Sequence, residues 1–154
     1  MAVRPPRFNA SVFTRAIRHL HQGGNYSPEM LNDAPFLALI DETNKVLQKA
    51  FDAGIADNIP PESMIKMLTE DIFLFSGLKT HAQLKELSQL LLTPQGKIKP
   101  WNEFRIEAMQ LHKLYNEQYL EAEYQFATGS ALMAARWSDQ ESGGDRFNLQ
   151  YRTA

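Results

Sequence analysis

The chain has 154 residues, of which 44% are hydrophobic and 22% charged, and its formal net charge is -2. These values are typical of one globular domain that buries its own core, and they argue against disorder, a fibre or a protein that mainly coats nucleic acid. Because the chain contains no cysteine, thiol catalysis, disulfides, thiolate zinc sites and iron–sulfur clusters are excluded within it.

The amino-terminal segment, residues 1–25, is predicted to be a basic arm with a short helix. Residues 1–28 hold four arginines and no acid, which gives a local charge of +4 and leaves -6 for the remainder. The arginines are Arg4, Arg7, Arg15 and Arg18. Apolar residues spaced by three and four predict the helix near 10–21, ended by Gly23-Gly24. The arm is either a solvated helix face or a binding segment for nucleic acid or another protein.

Residues 26–141 are predicted to form a helical bundle domain. Apolar positions step by three and four residues throughout 34–54, which is typical of an amphipathic helix. A pair of prolines separates this helix from a second one, which we expect to end at Ser76-Gly77. A third, shorter helix is expected from about Thr80 to about Leu92.

The strongest break in the chain is 93–100, where proline, glycine and lysine are concentrated and a hairpin-like loop is expected. One helix up to Tyr115 follows, and then a longer helix at about 116–137. Two apolar stripes cover nearly two-thirds of the circumference of the longer helix, so we expect it to lie buried at the centre of the bundle. Gly129 lies among small residues there, and we expect a neighbouring helix to pack closely against it.

Residues 142–154 are predicted to be a linker and a strand, because Phe147, Leu149 and Tyr151 alternate with polar residues. A lone strand leaves its backbone groups unpaired, so we expect its partner strands in a domain absent from this chain or in another molecule. The predicted fold class is therefore all-α: a bundle of about six helices with one long central helix at about 116–137 and a short unpaired extended segment at the carboxyl terminus.

Motifs that carry catalysis are missing from the sequence. The histidines lack the spacing of a zinc-binding helix, no glycine-rich phosphate loop occurs, and Ser130 lacks the setting of a nucleophilic serine. No apolar run approaches the ~18 residues of a membrane span. We therefore predict no enzyme activity, cofactor, metal, small-molecule substrate or membrane contact for this chain.

Glu123 is a carboxylate that the helical pattern places near the apolar stripes of the long helix. If it is buried, it needs a cation as partner, because an unpaired charge in a core is costly. Arg136, Arg105 or a lysine can supply that cation. The candidate buried ion pair is Glu123 with Arg136.

Five blocks of sequence, taken in chain order, resemble one family. They are SGLKT at 76–80, GKIKP at 96–100, YNEQYLEAEYQFA at 115–127, MAARW at 133–137 and NLQYRTA at 148–154. In this order they resemble the amino-terminal half of the phage minor head proteins, which are relatives of phage Mu protein F and are also called phage head morphogenesis proteins. The resemblance covers about residues 26–154, and residues 1–25 match the family pattern poorly.

The resemblance implies a non-enzymatic component of the virion or prohead that assists head assembly near the portal vertex. It implies the phage portal or other head proteins as partners, and the cytoplasm of a bacterial host as the location during assembly. Relatives usually continue into a further carboxyl-terminal domain, so we expect this chain to be a truncated form.

Two elements are the candidates for an interface. One is the basic arm with its four arginines, and the other is the loop that carries Lys97, Lys99 and Trp101. An exposed tryptophan beside lysines is typical of an interface residue, although Trp101 instead closing one end of the bundle is an equal alternative.

Two other functions remain open from the sequence. The first is a protein that binds packaged DNA through its basic arm, which predicts binding that weakens steeply with salt. The second is an inert half of a larger phage enzyme whose catalytic residues lie in the missing domain.

Overall fold

The computed structural model describes residues 6–143, with side chains up to residue 137. The described chain is all-α, as predicted. Its elements are α1 Ala10–Gly23, a short 3₁₀ helix Pro28–Asn32, α2 Ala34–Gly54, α3 Glu62–Leu90, α4 Trp101–Lys113, a π segment Leu114–Tyr119 and α5 Leu120–Gly143. The predicted strand lies outside the described residues, where Arg4 also lies.

Helix α1 forms where the spacing of apolar residues predicts it. Asn9 caps its amino end, since the side-chain oxygen accepts from the backbone N–H of Ser11 at 3.0 Å. Gly24 ends the helix in the left-handed conformation, with φ of 77°, which favours glycine because it lacks a Cβ. The inward face buries Phe13 and Ile17 completely, so α1 is packed into the core of the described chain.

Helix α2 has the predicted bounds and is the helix that contacts α1, α3 and α5. Its last residue, Gly54, lies against α5 at a crossing too close for any side chain. A Cβ at this position would lie 2.5 Å from the carbonyl oxygen of Thr128 and 2.6 Å from the Cβ of Ala131. Glycine at this position therefore fixes the end of α2 onto α5.

The predicted helix break at Ser76-Gly77 is wrong, because helix α3 runs unbroken from Glu62 to Leu90. The hydroxyl of Ser76 donates to the carbonyl of Ile72 at 2.8 Å, which keeps it inside the helix. Gly77 has no positive φ. A glycine costs a helix only about 1 kcal/mol, so packing of the flanking residues is enough to continue it.

The bounds predicted for the long helix, about 116–137, are also wrong. Helix α4 passes through the π segment directly into α5, so residues 101–143 form one continuous helical run. If that run is counted once, the described residues contain four α-helices instead of the six expected. The difference arises because neither predicted break is a real interruption of the backbone.

The burial of α5 differs from the prediction as well. One predicted stripe is buried, with Leu120, Tyr124 and Ala131 in the core. The other is open to solvent, and Phe126, Met133 and Trp137 are 77%, 72% and 61% exposed. The physical reason is that α2 covers α5 on one side, whereas α3 makes few contacts with it.

The loop after α3 is hairpin-like, as predicted. Leu92 and Ile98 form an isolated antiparallel bridge. The backbone N–H of Thr93 donates to the carbonyl of Lys97 at 2.7 Å, and Gly96 takes a φ of 81° at the turn. This compact turn brings the lysines of the loop to the start of α4.

Candidate protein-interaction surfaces

The structure brings the two predicted binding elements together at one end of α1. The guanidinium of Arg18 lies over the ring of Trp101 at 4.9 Å from its centroid, a cation–π arrangement. Arg15 is exposed one turn earlier on the same helix. We call the group of Arg15, Arg18, Lys97 and Trp101 the basic surface.

Trp101 closes one end of the bundle, which is one of the two alternatives that the sequence left open. Its ring packs against His21 and Phe104, with centroids 5.5 and 6.3 Å apart, so part of it closes the end of the core. The rest stays accessible and holds Arg18. Trp101 is therefore a rigid anchor at the edge of the core.

The lysines of the loop differ from each other in environment. Lys99 is tied down, since its Nζ lies 2.6 Å from Glu107 Oε2 and its side chain is 13% exposed. Its carbonyl also lies 2.7 Å from Nε2 of His21. Lys97 is exposed, and only this lysine offers a free ammonium to a partner.

Arg7 lies apart from the basic surface. It is exposed and lines a cleft near the π segment that also contains Glu117 and Glu121. These acids reduce the positive potential around Arg7. The arginines of the predicted arm therefore do not form one continuous basic patch within the described residues.

A groove between α2, α3 and α5 was not predicted from the sequence. It encloses about 560 Å³ and is apolar on nearly all of its surface. Its lining includes Leu47 and Phe51 from α2, Leu68, Ile72 and Phe75 from α3, and Phe126, Ala127 and Ala131 from α5. All three helices contribute side chains to the lining.

The predicted pair of Glu123 with Arg136 is wrong, and a different ion pair lies at this groove. Glu123 pairs with Lys79 of α3, whose ammonium also donates to the carbonyl of Tyr115 at 2.7 Å. Arg136 is exposed and lies 13 positions further along the same helix, about 20 Å away at 1.5 Å per residue. A lysine from the facing helix thus supplies the cation.

Burial shifts the pKa values of the two groups in opposite directions. Burial lowers the pKa of Lys79, and the hydrogen bond and charge of Glu123 oppose that shift. Burial raises the pKa of Glu123, and Lys79 opposes that shift in turn. Each group is therefore held in the apolar surroundings mainly by the other.

The π segment contains the carbonyl of Tyr115 that accepts from Lys79. Backbone hydrogen bonds in a π turn join residues five apart, which disturbs the usual α-helical pairing. Asn116 in the same segment is buried and donates its Nδ2 to Gln83 Oε1 at 2.7 Å. That Nδ2 also lies 2.9 Å from Nδ1 of His112. These contacts join α3 to the π segment.

Large apolar side chains are also exposed along α3 and α5, on two stripes that share Asp71, Phe126 and Ser130 with the groove lining. On α3 the stripe is Met67, Asp71, Leu74 and Leu78, and on α5 it is Phe126, Ser130, Met133 and Trp137. Both stripes step by four, three and four residues, which places each on one face of its helix. Their six apolar members are all more than half exposed. We call the groove and the two stripes the apolar face.

The apolar face was missed because an apolar helical stripe looks the same in a sequence whether it faces a core or a partner. The available signal was the amount of apolar surface on α5, which needs neighbours on nearly every side. The described helices supply neighbours on one side only.

Comparisons with known proteins give no further assignment. No family model, no curated protein and no solved structure matches this chain. Within residues 6–143, no group of three or more His, Asp or Glu side chains is placed to hold a metal ion. In the same part of the chain, no helix is long and apolar enough to cross a membrane.

Proposed function

We propose that this chain is a non-enzymatic assembly module of a phage head that acts near the portal vertex. The proposal is supported by the resemblance of its ordered sequence blocks to the phage minor head proteins. It places the chain in the cytoplasm of the bacterial host during assembly and afterwards in the prohead or virion.

The observation that carries the proposal is the open apolar face. Monomeric proteins rarely expose contiguous apolar patches larger than a few hundred Å², and larger ones usually mark binding sites. Here six large apolar side chains on two helices are more than half exposed beside an apolar groove. A protein with this surface is suited to work as part of a larger assembly.

We assign the contact with the portal to the basic surface. Arginine and tryptophan are the residues most often found at the energetic centre of protein interfaces. Arg18 and Trp101 are held together there by their cation–π contact. Because Trp101 is also packed against the core, the anchor loses little side-chain entropy on binding.

Co-expression with a phage portal protein tests this function. We expect the two proteins to co-purify by affinity capture at moderate salt and to form a complex of defined mass by light scattering. The variant Arg15→Glu/Arg18→Glu should reduce the captured portal protein at least about tenfold, as expected for losing interface arginines. The control Lys49→Glu/Lys85→Glu reverses two exposed charges outside the basic surface and should retain the portal protein.

Failure of the chain to capture the portal protein would contradict the proposal. Binding to duplex DNA that weakens steeply with salt and is lost in Arg15→Glu/Arg18→Glu would support the DNA-binding alternative instead. Catalytic activity that appears only in a longer form of the protein would support the third alternative, an inert half of an enzyme.

A further inference from the structure

We infer that the apolar face is a self-association surface, covered by the apolar face of a second copy of this chain. The inference rests on the proposed assembly function and names the partner of this face. The apolar face then has its own partner, a second copy of this chain, because the portal contact is assigned to the basic surface.

The first argument is the area that the face exposes. A stable interface buries roughly 800 Å² on each partner. The six exposed apolar side chains of the two stripes, together with Phe75 in the groove and Tyr119 seven positions before Phe126, are 41–77% exposed. At 150–250 Å² for a large side chain, they expose on the order of 1,000 Å² per copy. One face of this size is sufficient for a dimer.

The second argument is that the two stripes match each other. The α3 stripe and the α5 stripe both span 12 positions with the same spacing, so both are about 17 Å long. Each carries three large apolar residues and one short polar residue, Asp71 or Ser130, in the same place. A two-fold axis that sets α3 of one copy against α5 of the other pairs these stripes twice, which is the defining property of an isologous interface.

The third argument is the lack of charge on the face. Glu123, which lines the groove, is paired with Lys79. Asp71 is the remaining carboxylate among the groove-lining residues. A strongly charged partner such as nucleic acid finds no matching charges here, whereas a second apolar face is complementary to it.

Sedimentation velocity and light scattering of the full 154-residue chain alone test the inference. Between about 1 and 100 μM, the range in which weak and moderate dimers form, we expect the mass to rise to twice the chain mass of 17.6 kDa. Phe126→Glu and Leu74→Glu should each weaken the dimer at least about 30-fold, because each places a charge within the apolar face. A chain that stays monomeric up to the highest concentration overturns the inference.

A matched control separates the face from general effects of adding a charge. Ile106 on α4 is 57% exposed and does not belong to the apolar face, so Ile106→Glu should leave the dimer unchanged. All three variants alter exposed side chains, and circular dichroism of the dilute proteins should give the same helix content as the wild type. Equal weakening by Ile106→Glu and Phe126→Glu also overturns the inference.

A spin label shows where the second copy binds. Since the chain has no cysteine, Ser130→Cys gives one labelling site in the groove, and Glu103→Cys gives one exposed control site on α4. We expect the label at residue 130 to lose mobility as the concentration rises, and the label at residue 103 to keep it. Loss of mobility at residue 103 alone places the contact elsewhere and contradicts the inference.

The same experiments separate this inference from the proposed function. A monomeric chain that still captures the portal protein through the basic surface overturns the self-association and leaves the assembly function standing. A monomeric chain that captures the portal protein only when Phe126 and Leu74 are intact makes the portal the occupant of the apolar face. A dimeric chain that does not bind the portal protein supports the inference and contradicts the proposed function as stated.

Discussion

At the scale of single residues, the pair of Lys79 and Glu123 is expected to have the largest effect on stability. The side chains are 3% and 25% exposed. Lys79→Met leaves a carboxylate beside an apolar groove, so we expect the free energy of unfolding to fall by about 2–4 kcal/mol, somewhat less than for a fully buried pair. Lys79→Met/Glu123→Leu should recover much of that loss, because neither charge remains.

Urea denaturation of the wild type, both single variants and the double variant measures the coupling between the two side chains. If the losses of the single variants add up in the double variant, the two groups do not depend on each other. That additivity would contradict the described pairing.

The buried His112 predicts how stability depends on pH. Burial lowers its pKa, and the charge of Glu117 opposes this only in part. The unfolded chain therefore takes up a proton more readily than the folded chain. This contribution to stability is complete above the unfolded pKa of about 6.5 and is lost as the pH falls below it.

A comparison with His112→Gln isolates this contribution from other titrating groups. We expect the difference in free energy of unfolding between wild type and variant to shrink as the pH is lowered from about 8 to about 5, since only the wild type must protonate a buried ring. Urea denaturation at each pH provides the measurement. A difference that stays constant would show that His112 titrates normally in the folded chain.

At the scale of elements, two glycines test the packing of α2 on α5. Gly54→Ala places a Cβ 2.5 Å from a backbone oxygen of α5, and we expect a loss of about 1–3 kcal/mol from overpacking. Gly129→Ala meets nothing within 4 Å and should stabilise the helix by about 0.5–1 kcal/mol. Thermal unfolding followed by circular dichroism compares them, and an equal effect of both substitutions would contradict the crossing.

These two glycines also show that the sequence does not reveal where two helices pack closely. The close packing predicted at Gly129 is wrong, and Gly54 is the residue at which two helices meet. Both glycines lie in amphipathic helices, and they differ only in that α2 and α5 cross at Gly54. The bounds of α1 and α2 were predictable because strong stop signals, Gly23-Gly24 and Pro60-Pro61, follow them.

The sequence also did not reveal that α3 is unbroken or that α4 continues into α5. Ser76-Gly77 is a weak stop signal that packing overrides, and nothing in the sequence marks the π segment between α4 and α5. The cation for Glu123 could be narrowed to an arginine or a lysine, but the choice of Lys79 depends on the orientation of α3. Residues distant in sequence decide such contacts, and a local pattern does not contain them.

At the scale of the whole molecule, the described chain has a well-packed side and an open side. Helices α1, α2 and α4 bury a continuous core with the carboxyl-terminal half of α3. Within residues 6–143, no element covers the amino-terminal half of α3 or the outer side of α5. We conclude that the packed core holds the apolar face open for a partner.

Hydrogen–deuterium exchange tests that claim most directly, because it reports coverage of the face by any partner. The chain is compared in dilute solution, at high concentration and in complex with the portal protein. We predict slower exchange in residues 62–78 and 120–137 at high concentration, where the second copy covers them, with little change in α2, whose buried residues are already protected. Identical exchange in these two segments under all three conditions would contradict the assignment of the apolar face as an assembly surface.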